Sequence, residues 1–430
     1  MERKFINQLL EWKNSTARMP LTVTGARQVG KTFGLLEFGK RYYQNVVYLN
    51  FENNNDLHNV FERDLNPMRI VRELSVKSGE TIFENDTLLI FDEIQACERA
   101  LTSLKYFCED APGYHIAAAG SLLGVTLNRQ KFSFPVGKID KITLYPLDFE
   151  EFLWALGKRN GAEMIRECFE TNSFFSAHNE FLDLYKTYLL VGGMPFVVSE
   201  YIKNQDFMQV YNLQKNINDA YIADMVKYAL PTETNKILAA YNSVPAQLAK
   251  ENHKFQYKII KTGARALEFE NSLEWLQTAG IARKCVKTSD GKFPLELFAH
   301  HNSFKIYLSD TGLLSSKYNL SPNIVMSDLS GFENVKGALA ENYVFSALTA
   351  NAYSPFYWES EGKAELDFVI QNREGKIIPI EVKSSEHNRA KSLMQFVGKY
   401  KPDYSIKIQA KNFGFENGIK SVPLYAAFCI

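Results

Sequence analysis

Two groups of residues in this sequence have the types and spacing that chemistry requires. The first is Gly25, Gly30, Lys31 and Thr32 in "TGARQVGKT", with Asp92-Glu93 downstream at the end of "TLLIFDEIQ". Glycines at this spacing let the backbone N–H groups of Gly25, Ala26, Arg27, Gln28, Val29, Gly30, Lys31, Thr32 and Phe33 curl around phosphates. Lys31 reaches the β and γ oxygens, and the Thr32 hydroxyl joins a Mg²⁺ shell. Asp92 would hold the same Mg²⁺, and Glu93 would orient or deprotonate an attacking water. The adjacent glutamate favours hydrolysis over phosphoryl transfer to another substrate.

The second group is Asp367, Glu381 and Lys383 in "ELDFVIQNREGKIIPIEVKSS", with Glu341 upstream in "KGALAENYVFSALTAN". Glu381 and Lys383 are two apart in a strand pattern and share one face, while Val382 and Phe368 point the other way. One Asp, one Glu and the Val382 carbonyl are hard oxygen ligands suited to Mg²⁺ or Mn²⁺. Lys383, with its pKa lowered among desolvated neighbours, would position or deprotonate a nucleophilic water. The bland reading is an ion-pair cluster of Glu341, Asp367, Glu381 and Lys383. Three carboxylates around a single lysine favour a metal instead.

The elements that hold these groups follow from pattern. Leu21–Thr24 reads as a strand entering the glycine loop, with a helix beginning near Lys31. Leu88–Phe91 is continuously apolar, as in a strand covered on both faces. "VVYLNFE" and "HIAAAGS" supply two more strands, and Ser121 at the tip of the latter is a sensor candidate for the γ-phosphate. Arg129 and Lys138 are the nearby cations that could reach that phosphate. In the second group, Asn372 to Gly375 reads as a hairpin turn, followed by the helix "AKSLMQFVGKY". Between the groups, "NKILAAYNSVPAQLAKE", "QYKIIKTG" and "ARALEFENSLEWLQTAGIARKCVKT" read as three helices and an extended tail. Leu267, Leu273, Leu276 and Ala279 form one apolar face. Lys250, Lys254, Lys258, Lys261, Arg265, Arg283, Lys284 and Lys287 make this stretch locally basic, although Glu251, Glu268, Glu270 and Glu274 interleave.

Composition sets the frame. A chain of 430 residues implies two or three domains. Its apolar fraction of 46% and charged fraction of 23% are those of a globular protein. Five scattered cysteines without a CxxC pair point to reduced thiols in a cytoplasmic protein, not to a zinc site. There is neither a membrane-length apolar run nor a secretory signal pattern. The net charge is zero, so nucleic-acid binding would need a local patch.

"TGARQVGKT", "VVYLNFE", "LLIFDEIQ", "AAGSLLGV" and "LYPLDFEEFL" together resemble a prokaryotic AAA-type (P-loop) ATPase family of AAA_14/DUF4143-like architecture. Its ATPase core is joined to a C-terminal region of uncharacterised function. "LLVGGMPFVV" and "DAYIADMVKY" resemble the same family, with a core-packing role for Gly192-Gly193. The family usually carries Gly-Arg shortly before "PLDFEEFL", and Gly137-Lys138 stands there instead. The three helices and their tail resemble a winged helix. Helix-Glu, strand-Asp and Glu-x-Lys resemble the PD-(D/E)xK nuclease fold, here without the usual proline before Asp367, and the resemblance implies that Gln395 on the following helix steadies the site.

The resemblance implies an α/β protein with a parallel-sheet core of P-loop NTPase type and a helical middle containing a winged-helix-like subdomain. A C-terminal α/β restriction-endonuclease-like domain completes it. Expected boundaries are 1–145, 146–232, 233–330 and 331–430. The first functional expectation is an ATPase whose nucleotide state, ATP or ADP, controls a Mg²⁺- or Mn²⁺-dependent nuclease-like domain acting on DNA or another nucleic acid. The alternative is a signal-transducing switch with a catalytically silent C-terminal binding domain. No oligomeric state is legible in the sequence.

Overall fold

A computed structural model describes residues 1–120, 137–250, 253–326, 331–360, 364–384 and 391–430. They form two compact units, Glu2–Tyr145 with Thr278–Gly280, and Pro146–Gln277 with Ile281–Ile430.

The first unit contains a five-stranded parallel sheet of β1 (Leu21–Thr24), β2 (Asn45–Asn50), β3 (Thr87–Asp92), β4 (His115–Ala119) and β5 (Asp140–Thr143), in the order β2-β3-β4-β1-β5. A parallel sheet is covered on both faces, and the run Leu88 to Phe91 is accordingly fully buried. Helices Lys31–Tyr42, Pro67–Ser78 and Glu98–Asp110 supply apolar faces through residues such as Leu35, Phe38, Leu74 and Leu104. The second of these starts cleanly, with Pro67 in its first turn and the Asn66 side chain accepting from the Arg69 N–H. β1 and β3 have β4 between them. Parallel strands bring the loop after β1 and Asp92 at the end of β3 to the same edge of the sheet.

The second unit has an eight-stranded mixed sheet. Its strands are β6 (Ala282–Thr288), β7 (Ala299–Leu308), β8 (Phe356–Glu359), β9 (Glu365–Gln371), β10 (Ile377–Val382), β11 (Ser405–Gln409), β12 (Gly414–Glu416) and β13 (Ile419–Pro423), in the order β12-β13-β11-β10-β9-β8-β6-β7. Helix Glu333–Ala350 precedes the antiparallel run β8-β9-β10, and helix Lys391–Tyr400 leads to β11, which pairs parallel to β10. The hairpin turn forms as its residues dictate: the Gly375 N–H donates to the Asn372 carbonyl at 3.0 Å, with Gly375 at φ +81°. Tyr307 of β7 stacks on Phe345 at 4.6 Å between ring centres, which fixes helix Glu333–Ala350 against the sheet.

Two expectations need correction. The extended tail after the third helix was expected to serve as a wing within 233–330, apart from residues 331–430, but its strand β6 pairs with β8. A boundary near 330 therefore cuts through one continuous sheet, because the second edge of β6 satisfies its backbone groups on β8. In helix Ala266–Thr278, Leu267 is 87% exposed and Phe269 is buried in its place beside Leu273 and Leu276.

The family-like stretches in this unit have packing roles. Asp148 and Glu151 form a capping box on helix Phe149–Ala155, and Glu150 accepts twice from Arg166 at 2.6 and 2.5 Å. A Cβ on Gly193 would lie 2.0 Å from the Leu147 carbonyl oxygen, so only glycine fits there. Asp310 is buried and accepts from the N–H groups of Gly193 (2.6 Å) and Leu313 (2.8 Å). Burial still pushes its carboxyl up to about 6 against those bonds.

Candidate functional site

The loop after β1 is shaped by two glycines. Gly25 has φ +138°, and a Cβ there would lie 2.1 Å from the Leu144 carbonyl oxygen. Gly30 has φ +93° and caps helix Lys31–Tyr42. Lys31 is buried, and its Nζ donates to the carbonyls of Gly25 at 2.9 Å and Ala26 at 2.8 Å, which holds the ammonium over the loop. Thr32 Oγ1 donates to Asp92 at 3.0 and 3.2 Å, joining the helix start to the end of β3. Asp92 also accepts from the Tyr48 hydroxyl at 2.7 Å, and Tyr48 in turn accepts from Asn50 at 3.2 Å.

Sequence reading missed Tyr48 and Asn50, although both lie in "VVYLNFE". The signal was the polar alternation Tyr48, Asn50 on a strand next to the Asp92 strand, where Asn50 pairs with Asp92. Glu93 follows in the left-handed region at φ +49° and accepts from the Gln95 side chain. Burial is the main cause that raises its carboxyl, helped by Asp92 and opposed by Gln95. A non-glycine residue held at positive φ beside the phosphate loop is the sort of strain that accompanies function. Phosphates, one hydroxyl and one carboxylate are hard donors, and this set fits Mg²⁺. Ser121 and Arg129 lie outside the described residues. Lys138 pairs with Glu109 at 3.1 Å.

The second group is brought together differently from expectation. Glu341 is buried, and its Oε2 accepts from His253 Nδ1 (2.8 Å), the Tyr307 hydroxyl (3.0 Å) and Lys305 Nζ (3.5 Å). Lys305 is completely buried, pairs with Glu365 at 2.6 Å and lies 5.4 Å from the centre of the Tyr357 ring. Asp367 accepts from the Val382 N–H at 2.7 Å. Glu381 pairs with Lys383 at 2.9 Å through Oε1, while its buried Oε2 has no hydrogen-bond partner among the described residues. The cluster thus contains two lysines and a histidine, not a single lysine. Sequence reading missed Lys305 as well; a lone lysine inside the apolar run "SFKIYL" was the available signal.

Electrostatics follow the same pairing. Burial works to raise the Glu341 carboxyl, but Lys305 and His253 outweigh it and hold it below the ordinary range. Asp367 is pushed up to about 7 by burial and by Glu341. Lys383 was expected to be lowered. Burial does pull it down, but Asp367 and Glu381 together outweigh burial and its pKa is raised. Gln395 was expected near the cluster. It is exposed, and its helix turns Leu393 and Phe396 inward instead.

Among the described residues no group of three or more His, Cys, Asp or Glu side chains is arranged to hold a metal ion. The N-terminal residues would need no such group for Mg²⁺, because phosphates would supply the remaining oxygen donors. For the C-terminal cluster the disagreement is real: Glu341 Oε2 already carries three donors, and a buried ammonium sits among the carboxylates.

A family model described as an AAA domain matches residues 17–153. Residues 17–153 thus carry an AAA domain. Two further models, both for domains of unknown function, DUF8612 and DUF4143, match residues 182–323 and 336–427. No curated protein matches. Among solved structures, this chain is similar to the Walker-type ATPase PABY2304 of Pyrococcus abyssi, at 16% identity and a TM-score of 0.45, over 74% of this chain and 95% of that one. It is also similar to the ORC2 protein of Aeropyrum pernix at 12% identity and a TM-score of 0.32, over 78% and 91%. The Thermotoga maritima RuvB Holliday junction branch migration motor matches at 12% and 0.30, over 69% and 91%. Among the described residues no helix is long and apolar enough to cross a membrane.

Proposed function

We propose that the protein is a Mg²⁺-dependent ATP hydrolase whose nucleotide state governs a C-terminal nuclease-like domain. The observation that carries the ATPase half is the Thr32–Asp92–Tyr48 network beside the phosphate loop. Lys31 and the loop N–H groups bind the phosphates, Thr32 and Asp92 would hold the ion, and Glu93 orients the attacking water through a carboxyl that burial raises above its ordinary value. When bound, Mg²⁺ offsets charge on the phosphates. ATP and ADP are the ligands of this site.

The nuclease-like half is supported by the order helix Glu333–Ala350, β8, β9, β10, helix Lys391–Tyr400, β11, with Asp367 and Glu381 on adjacent strands. DNA is the proposed nucleic-acid ligand, with Lys258, Lys261 and Arg265 exposed to meet phosphates. Lys254 and Lys287 are engaged by Glu359 and contribute less. A winged-helix role for residues 233–330 rests on the helices Pro231–Leu248, Tyr257–Ile260 and Ala266–Thr278.

The test is phosphate release with Mg²⁺. Lys31→Ala is expected to abolish nucleotide binding and turnover. Glu93→Gln is expected to bind ATP while kcat falls about 10²- to 10³-fold. A wild-type protein that binds ATP without hydrolysing it would sink the hydrolase reading.

A second reading, a nucleotide switch with a silent C-terminal binding domain, is favoured by one observation: Glu341 is already ion-paired with His253 and Lys305. Nucleic-acid cleavage with Mg²⁺ or Mn²⁺, wild type against Lys383→Ala, separates the two. Cleavage that Lys383→Ala removes supports the nuclease. Absence of cleavage with any metal supports the switch.

A further inference from the structure

We infer that Lys305 is a built-in cation that takes the place of a divalent ion in the C-terminal carboxylate cluster and closes it to metal. The inference rests on the nuclease-like fold reading of β8, β9 and β10 and favours the catalytically silent alternative to its activity.

Lys305 comes from β7, a strand outside the run β8-β9-β10 that carries Asp367 and Glu381. Its side chain is completely buried, which a lysine tolerates only when its charge is met. It is met by Glu365 at 2.6 Å and Glu341 at 3.5 Å, and Asp367 lies within its electrostatic reach. The Tyr357 ring adds an apolar wall 5.4 Å away with its electron-rich face. His253 and Tyr307 then fill the remaining positions around Glu341 Oε2.

Two consequences follow for a divalent ion at this place. A carboxylate oxygen that accepts three hydrogen bonds has no lone pair left to ligate with. An incoming ion would also face a fixed positive charge a few ångströms away in a medium that screens poorly. One acceptor points the other way: Glu381 Oε2 is buried without a hydrogen-bond partner among the described residues. Such an oxygen would welcome a cation. It identifies the ligand that becomes usable, together with Asp367, once the ammonium is gone.

The test titrates nucleotide-free, full-length protein with Mn²⁺ alone and counts bound ion by electron paramagnetic resonance. Wild type and Asp367→Asn are expected to bind Mn²⁺ identically. Lys305→Met is expected to gain one site per chain, and Lys305→Met/Asp367→Asn to lose it again. A wild-type site that Asp367→Asn removes would overturn the inference, and so would a folded Lys305→Met protein that gains nothing. If Lys305→Met does not fold, the comparison of wild type with Asp367→Asn decides alone. Nucleotide hydrolysis is not part of the readout, so failure of the ATPase reading leaves the result intact. A gained Mn²⁺ site without any cleavage of nucleic acid would remove the nuclease reading and leave the role of Lys305 standing.

Discussion

Asp92 and Glu341 are both buried acids that accept hydrogen bonds near a lysine, yet their surroundings differ in one respect that decides their chemistry. Asp92 is held by the neutral hydroxyls of Thr32 and Tyr48, and Lys31 donates instead to the loop carbonyls. Glu341 is held by an ammonium, an imidazole and a phenol. Hydroxyls orient a carboxylate and leave its charge uncompensated, so a divalent ion still gains by approaching. An ammonium compensates the charge and removes that gain. Residue type alone does not distinguish an open acidic site from a closed one; the charge of the donors does.

The comparison can be broken most directly by neutralising each acid. Glu341→Gln leaves Lys305 and His253 short of their counter-charge, and the expected loss is about 3–5 kcal/mol of local stability. Asp92→Asn leaves the two hydroxyls with an amide oxygen to bond, and the expected change is below about 1 kcal/mol. Native-state hydrogen exchange at the amides of β9 and β3 checks both. Equal losses at the two sites would erase the distinction.

A smaller effect sharpens the N-terminal side. Tyr48→Phe removes the 2.7 Å bond that orients Asp92. The expected outcome is a three- to tenfold rise in the Mg²⁺ needed for half-maximal hydrolysis, from the roughly 1 kcal/mol value of such a bond. An unchanged Mg²⁺ dependence would make Tyr48 a bystander.

A separate effect concerns pH. Burial, with Arg18 and Lys13 adding to it, lowers His115 in β4 to about 4, while its ordinary value is 6.5. As pH falls from 6.5 toward 4, the unfolded chain takes up a proton that the folded one refuses, so stability is lost across that window and is fully present above it. Thermal melts of the first unit should show this slope, and His115→Gln should flatten it.

Much of this was written locally in the chain. The phosphate loop depends on nine consecutive residues, Gly25 to Phe33, and β3 announces itself as an unbroken apolar run because both its faces are covered. The hairpin between β9 and β10 follows from Asn372 and Gly375. What could not be read is what comes together over distance. His253 and Lys305 reach Glu341 across 88 and 36 positions. Periodicity reports which face of a strand is buried and says nothing about which helix covers it. The misplacement of Leu267 has a related cause: a helix end with apolar residues at 267 and 269 offers two registers, and only tertiary packing chooses Phe269.

Among the described residues β7 is the last strand of its sheet, paired there with β6. Its loss would break one ladder and leave the ladders β8-β9 and β9-β10 intact. Lys305 nonetheless rides on a strand that is held from outside the sheet, by Asn342 bonding the Leu308 N–H and carbonyl and by the Phe255 N–H bonding the Phe304 carbonyl. Opening the acids on β9 and β10 therefore takes a change of residue at 305, since the edge strand that carries the ammonium is buried from Phe304 to Leu308.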